Sequence, residues 1–190
     1  MIKAKSSDKK LVCELLMSSF ADNPSVNFII SGNLRRKARL AALMNYSFDQ
    51  CMRFGEVWLS DDKEGCALLL FPQKKRTSIV TFFLDLKFIV CTVGLRQLPK
   101  VLRRERLLDL KRPKHDMAYL WFIGVERGSQ HNGVGSRLLS QVLAQCQLLD
   151  LPVLLETSVP GNLPWYGSFG FRIYDELDLG YRLYFLAKSN

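Results

Sequence analysis

A glycine-containing turn that joins a buried strand to an amphipathic helix constrains this chain more than any other feature. The run Ala118–Val125 is continuously apolar and aromatic, which is typical of a strand buried on both faces. The loop Gln130–Ser136 follows, and Arg137–Leu149 then carries apolar side chains at three- and four-residue spacing. The sequence therefore predicts a strand, a glycine turn and a helix, in that order.

This order of elements favours an anion-binding site at the start of the helix. The first-turn amides of a helix have no intrahelical acceptor, and the helix dipole adds partial positive charge there. Gly133 and Gly135 have no Cβ atom to hold a phosphate away from the backbone. We therefore expect a ligand that carries phosphate.

Two familiar phosphate-binding loops do not fit these residues. A Walker loop needs a lysine after its last glycine, whereas Gly135 is followed by Ser136 and Arg137. A dinucleotide fingerprint needs a third glycine where Leu138 stands. The pattern that remains is Gln/Arg-x-x-Gly-x-Gly/Ala, which the sequence matches from Gln130 to Gly135.

Residues downstream of the loop strengthen this pattern. Pro152–Thr157 has the composition of a second buried strand, and Asn162, Tyr166 and Gly170-Phe171 follow it. In order and spacing, these residues and the loop resemble the signature of the GNAT superfamily of acetyl-CoA-dependent N-acetyltransferases. The resemblance covers the C-terminal part of the chain closely and the N-terminal part in outline.

The resemblance implies an α/β (α+β) fold. The expected architecture is a GNAT-like mixed, mostly antiparallel sheet flanked by helices, with a V-shaped splay between two central parallel strands that end near Val125 and Thr157. We expect a single domain over residues 1–190, with a helical insertion at about 77–112 that is broken near Gly94 or Pro99.

The N-terminal part of the chain is consistent with this architecture. Apolar spacing predicts a helix from Ser7 to about Phe20, a short helical turn over 26–30 and a longer helix over 34–53. A polar turn between Glu56–Ser60 and Cys66–Phe71 predicts an antiparallel hairpin.

The resemblance also implies the co-substrate and the residues that hold it. Acetyl-CoA would lay its pantetheine arm along Phe122–Val125 like an extra strand, with a backbone N–H polarising the thioester. Gly124 would permit a bulge or a close approach there, although tight packing explains a strand glycine equally well. The expected cofactor-binding residues are Ile123, Gly124, Val125, Gln130, His131, Asn132, Gly133, Val134, Gly135, Ser136, Asn162 and Tyr166.

Acetyl transfer to an amine needs a base for the ammonium and a proton for the leaving thiolate. By resemblance, Tyr166 reaches the coenzyme sulfur as general acid, because a phenol stays protonated at neutral pH. Packing at the end of the sheet is its alternative role. Glu156, at the end of an apolar strand, is the predicted base, directly or through water, and Glu126 is a second candidate. For both, an exposed carboxylate at a strand end is the alternative.

Two other functions stay open at this stage. A non-catalytic acyl-CoA-binding sensor would keep Gln130–Gly135 but would not need Tyr166 or a carboxylate. The net charge of +9, concentrated in 96–114, raises the hypothesis of a nucleic-acid-binding protein. No aromatic side chains interleave with these charges, so a solvated helix face is favoured over nucleic acid.

The remaining expectations concern partners and location. The acceptor is a small-molecule or protein amine, and the inserted helices would carry acceptor selectivity or a homodimer surface. Five scattered cysteines and two histidines without ligand spacing indicate neither disulfides nor a metal site. The N-terminus lacks a signal-peptide pattern, so we expect a cytoplasmic protein. The apolar run 79–95 contains Asp85 and Lys87, which favours a buried helix over a membrane span.

Overall fold

A computed structural model describes residues 1–30, 35–75, 85, 89–94 and 97–189. Within these residues, seven strands form one sheet in the order β1-β2-β3-β4-β5-β7-β6. The strands are β1 (Ile2–Lys3), β2 (Gly55–Leu59), β3 (Gly65–Leu70), β4 (Ala118–Val125), β5 (Val153–Thr157), β6 (Arg172–Asp178) and β7 (Arg182–Lys188). The helices are α1 (Lys9–Phe20), α2 (Pro24–Ile29), α3 (Arg36–Phe54), a π-helix (Ile89–Val93), α4 (Leu98–Lys111), α5 (Val134–Leu148) and α6 (Leu163–Ser168).

The sheet is antiparallel at every pairing except that of β4 with β5, which is parallel. This parallel ladder joins only Ala118–Leu120 to Val153–Leu155. Beyond Leu120 the two strands diverge, because β4 continues to Val125 beside β3 and β5 continues to Thr157 beside β7. The predicted fold class, with its splayed central pair, is confirmed, and so is the β2–β3 hairpin.

A bulge in β4 lies next to this splay. Leu68 pairs with Phe122 and Leu69 with Leu120, so Trp121 has no opposite residue on β3. An extra residue in one strand reverses the alternation of side chains beyond it. Trp121 and Phe122 consequently pack on the same face of the sheet, in the apolar cluster shared with α1 and α3.

Apolar side chains cover both faces of the sheet. Helices α1 and α3 bury Leu16, Leu43 and Phe48 against one face. Helix α5 buries Leu138, Leu139 and Val142 against the other, where Tyr166 also packs. Helix α4 joins through Leu108, which packs with Leu183 and Phe185 of β7. The central strands are therefore buried on both sides, as the apolar run Ala118–Val125 predicts.

The described helices largely follow the predictions. Helix α5 begins at Val134, three residues before the predicted start, because Gly133 adopts a left-handed conformation (φ 75°) that starts the helix there. In the predicted insertion, the π-helix ends at Val93, Gly94 follows it with a positive φ of 75°, and α4 begins at Leu98 with Pro99 in its first turn. The predicted helical residues 77–84, 86–88 and 95–96 lie outside the described residues.

None of the helices in the described ranges is both long and apolar enough to cross a membrane.

Candidate active site

The glycine loop before α5 is folded by two left-handed residues. His131 (φ 66°) and Gly133 (φ 75°) both have positive φ values, which reverse the chain between β4 and α5. Arg137 donates from Nη1 to the Asn132 carbonyl oxygen at 3.2 Å and so braces the loop from the helix side. His131, Asn132 and Gly133 are exposed, and the first-turn amides of α5 follow them directly. The loop therefore leaves the start of α5 accessible, and the predicted anion site there stays a prediction.

Gly135 lies where the start of α5 packs closely against the end of β4. A Cβ atom at this position would lie 3.3 Å from Val125 Cγ2 and 3.7 Å from Trp165 Cζ2. Trp165 is itself fixed, because its Nε1 donates to Ser136 Oγ at 3.0 Å. A side chain at position 135 would therefore fill the space between the strand end, the helix start and Trp165.

The second half of β4 has an open edge. Opposite Trp121–Val125, on the side away from β3, no described residue pairs as a strand. Backbone N–H and C=O groups on such an edge are free to hydrogen-bond an extended ligand. The Val125 carbonyl is the exception, since it accepts from Ser19 Oγ at 2.9 Å and from Gln130 Nε2 at 3.4 Å.

Gly124 permits tight packing, which was one of the two roles that the sequence allowed for it. A Cβ atom there would lie 2.8 Å from Ser19 Oγ and 3.0 Å from Ser19 Cβ. The close approach at Gly124 is therefore made by helix α1, and the bulge lies at Trp121 instead.

Tyr166 lies on the α5 face of the sheet, beside the splay. It is buried, with its ring centroid 4.8 Å from that of Trp165 and 5.7 Å from that of Phe171. Its hydroxyl makes no hydrogen bond to any residue in the described part of the chain. Burial raises the pKa of Tyr166 well above its ordinary value, so the phenol keeps its proton. Asn162 is exposed in the turn before α6 and its side chain does not cap that helix.

A cavity of ≈ 740 Å³ opens on the opposite face of the sheet, next to the same splay. Helix α4 forms one wall, and Glu156 and Ser158 at the end of β5 form part of another. Its aromatic lining residues are Phe20, Tyr46, Tyr119, Trp121 and Phe122. The splay therefore lies between Tyr166 on one face and the cavity on the other. Glu126 is exposed and does not line the cavity.

Glu156 is held at the cavity wall by Arg112. The Arg112 Nε and Nη2 atoms both lie 2.7 Å from Glu156 Oε1, and the Glu156 side chain is 7% exposed. Among the described residues nothing donates a hydrogen bond to Oε2. Burial acts to lower the pKa of Arg112, but Tyr119 and the carboxylates of Glu156 and Glu105 raise it to a net value above the ordinary one. The pair is therefore ionic, with one carboxylate oxygen left for a ligand.

Two arginines of the basic segment turn inward rather than toward solvent. Arg104 is buried, and it donates to Tyr181 Oη at 3.0 Å, to Ser25 Oγ at 2.7 Å and to Glu105. The predicted solvated face is wrong for Arg104 and Arg112, whereas Lys100, Arg103 and Arg106 are exposed. The sequence held a signal for Arg104, because it falls at helical spacing between the buried Val101 and Leu108. Sequence reasoning missed Arg112 and Arg137, whose partners lie in other elements or in the loop.

Replacing Arg112 with leucine is expected to destabilise the fold, because the buried Glu156 carboxylate loses its counter-ion. Removing one partner of a buried ion pair lowers the free energy of unfolding by about 3–5 kcal/mol. Because the Arg112 side chain is 29% exposed and partly screened by solvent, we expect a smaller loss here, of about 2 kcal/mol. The melting temperature should fall by about 4–8 °C in a thermal scan. Arg106→Leu, at an exposed position of α4, is the control, and Arg112→Leu/Glu156→Leu should recover much of the loss. Equal melting temperatures for the two single variants would contradict the role of Arg112.

Comparison with known proteins identifies a matching family model and several structures with a similar fold. The Acetyltransferase (GNAT) family model matches residues 50–171. A solved structure from Corynebacterium glutamicum, described as histone acetyltransferase HPA2 and related acetyltransferase, is similar with a TM-score of 0.70 and 19% identity, covering 99% of this chain and 94% of that one. An N-acetyltransferase from Staphylococcus aureus Mu50 gives 0.65 and 15%, covering 97% of each chain.

A further similar structure is the C-terminal condensation domain of Ebony in complex with β-alanyl-dopamine, with a TM-score of 0.68 and 10% identity, covering 100% of this chain and 97% of that one. At such low identities, these structures establish a shared fold. Within the described residues, no three His, Cys, Asp or Glu side chains are grouped as a metal site would require.

Proposed function

The chain belongs to the GNAT acetyltransferase family, and from that membership we propose that it transfers the acetyl group of acetyl-CoA to a primary amine by direct attack in a ternary complex. The observation that carries this proposal is the short β4–β5 ladder, which ends at Leu120 and Leu155. Past that point, the open edge of β4 lies between the glycine loop, Tyr166 and the cavity. The splay between β4 and β5 would therefore let acetyl-CoA and the amine meet beside the open edge of β4.

The loop and the open edge suit the two halves of acetyl-CoA. The pyrophosphate would lie against the first-turn amides of α5, where Gly133 and Gly135 allow close approach. The pantetheine amides would pair with the backbone of β4 between the bulge at Trp121 and Val125. This path would bring the thioester to the splay.

In the proposed reaction, Tyr166 acts from one face of the sheet as the acid and Glu156 acts from the other as the base. The neutral amine attacks the thioester carbonyl carbon, the C–N bond forms and the C–S bond breaks. Tyr166 donates its proton to the departing thiolate, because its buried phenol is protonated and has no competing partner among the described residues. Before this attack, Glu156 accepts one proton from the incoming ammonium at Oε2, directly or through water, which leaves the amine neutral. As the amide forms, its nitrogen loses a second proton, which restores the Tyr166 phenol through water, and Glu156 then releases its proton to solvent.

The cysteines support direct attack rather than a covalent intermediate. Burial is the main cause that raises the pKa of Cys13 to about 11 and that of Cys146 to about 12, so neither supplies a thiolate at neutral pH. Burial also raises the pKa of the Cys51 and Cys66 thiols. Cys91 is exposed and does not line the cavity.

Calorimetric titration with acetyl-CoA, combined with an assay of CoA thiol release in the presence of primary amines, tests the proposal. We expect binding with a Kd between about 1 µM and 1 mM, together with amine-dependent thiol release and an N-acetylated product detected by mass spectrometry. Binding without thiol release for any amine would indicate an acyl-CoA sensor. Absence of acetyl-CoA binding, with salt-sensitive binding of duplex DNA, would indicate the nucleic-acid alternative.

A further inference from the structure

The cavity beside the splay has an apolar, aromatic interior. The β4 bulge places Trp121 and Phe122 side by side on the cavity face, although neighbouring residues of a regular strand would point to opposite faces. Phe20, Tyr46 and Tyr119 add further rings, and the ring centroids of Tyr46 and Trp121 lie 6.2 Å apart. The aliphatic lining residues include Val26, Ile29, Leu43, Val101, Leu102 and Leu183. Such walls favour a ligand with a hydrophobic body.

The charged groups deep in this cavity already have protein partners. Arg104 donates to Tyr181, Ser25 and Glu105, and Arg112 is bound to Glu156. The guanidinium of Arg112 also lies 5.1 Å from the Tyr119 ring centroid. A carboxylate on the ligand would have to displace one of these partners and would lie near Glu156. The interior therefore disfavours acceptors that carry a carboxylate beside the amine.

The acidic lining residues also accept hydrogen bonds or pair with cations. Asp85 accepts from Tyr46 Oη at 2.7 Å and from Gln50 Nε2 at 3.5 Å, both at Oδ1, and Asp109 is paired with Lys114. The remaining ionisable lining residues, Lys75, His115 and Asp116, are exposed. Glu156 Oε2 is the acceptor that the described contacts leave unused beside the splay.

We propose that the cavity selects primary amines that carry a single positive charge on an aromatic or aliphatic body, with the ammonium at Glu156 Oε2 and the body against Trp121 and Phe122. This inference rests on the proposed acetyl transfer and names the acceptor class for it. Diamines and amino acids are disfavoured, because each would bury a second charge among described lining residues that are mostly apolar or already hydrogen-bonded.

A panel of four amines tests the acceptor class in the full chain. The panel comprises 2-phenylethylamine, ethylamine without the ring, phenylalanine with an added carboxylate and 1,4-diaminobutane with a second ammonium. We expect kcat/KM for 2-phenylethylamine to exceed that for each of the others by about tenfold or more. An equal or higher value for phenylalanine or 1,4-diaminobutane would overturn the proposal.

Two exposed leucines of α4 provide a matched pair of variants. Leu102 is 57% exposed and lines the cavity, whereas Leu110 is 74% exposed and does not. Leu102→Lys adds a cation to the wall and is expected to lower kcat/KM for 2-phenylethylamine about fivefold. Leu110→Lys adds the same charge outside the cavity and should leave it unchanged. Because both positions are exposed, neither variant is expected to disturb folding. Equal values for the two variants would contradict the cavity as the acceptor site.

Titration of 2-phenylethylamine alone separates this inference from the proposed function. If the amine binds, and binds more weakly to Leu102→Lys than to Leu110→Lys, the acceptor class stands even where no acetylated product forms. In that case the proposed acetyl transfer is wrong, and the assignment of the cavity as an amine-binding site is supported. If the amine neither binds nor reacts while acetyl-CoA still binds, the acceptor class is wrong and the cofactor site survives.

Discussion

Replacing Gly135 with glutamate is expected to weaken acetyl-CoA binding by about 10³-fold. A Cβ atom at this position would lie 3.3 Å from Val125 Cγ2 and 3.7 Å from Trp165 Cζ2. A longer side chain would therefore crowd the first turn of α5. Its carboxylate would also repel the pyrophosphate, by about 4 kcal/mol for unit charges about 4 Å apart at an effective dielectric constant of about 20. That energy corresponds to about a 10³-fold change in Kd.

Calorimetric titration of acetyl-CoA and of free CoA measures this effect. Gln147→Glu is the matched control, because it adds the same charge to an exposed position at the far end of α5. Its Kd should stay within about twofold of the wild-type value at two salt concentrations. Unchanged binding in Gly135→Glu would mean that the phosphates bind elsewhere, and the assignment of the glycine loop would have to be abandoned.

Tyr166→Phe is expected to lower kcat by about 10²–10³-fold with little change in the Kd for acetyl-CoA. The substitution keeps the ring contacts with Trp165 and Phe171 and removes only the hydroxyl. Because that hydroxyl makes no hydrogen bond among the described residues, its loss leaves no buried partner unpaired. Loss of general acid catalysis accounts for an effect of this size.

Tyr174→Phe is the control, since Tyr174 is 39% exposed on β6 and does not line the cavity. It should keep the wild-type kcat. A Tyr166→Phe enzyme with wild-type kcat would show that the thiolate leaves without protonation by this residue. A large rise in the Kd for acetyl-CoA would instead assign Tyr166 to binding.

The pH profile provides a second test of Tyr166. The acid form is the active one, and burial raises the pKa of Tyr166, so the active form persists to higher pH than for an exposed tyrosine. We expect kcat to show no fall from tyrosine ionisation up to about pH 10, while the rate rises as the amine loses its proton. A fall in kcat near neutral pH would contradict the role of a buried phenol.

The sequence predicts the elements around the glycine loop well, because these elements are local. The strand, the glycine turn, helix α5 and β5 follow one another along the chain, and hydrophobic periodicity with glycine chemistry identifies each of them. Gly133 illustrates the strength of such signals, since its left-handed conformation sets the start of the helix. The three-residue error at that start concerns the fraying first turn, where apolar spacing carries little information.

The cavity side of the splay depends on contacts between distant segments, which no local pattern encodes. Glu156 is predicted as a strand-end carboxylate, but its partner Arg112 lies 44 residues away in sequence. Arg104 likewise reaches Ser25 and Tyr181 from α4. The β4 bulge is also invisible in the sequence, because Trp121 and Phe122 both fit a regular buried strand. Pairing with Leu68 and Leu69 of β3 is what moves Trp121 and Phe122 to one face.

The open edge of β4 differs from a free strand edge at the rim of a sheet. Free strand edges at the rim of a sheet attract strands of other molecules and promote aggregation. The edge at Trp121–Val125 is interior to the sheet, since it faces β5 across a splay that narrows to a paired contact at Leu120 and Leu155. A foreign polypeptide strand would need about one full strand spacing, about 4.8 Å, on each side to enter. A ligand that pairs with β4 alone needs that spacing on one side only, so the splay favours a single extended ligand over an added strand that continues the sheet.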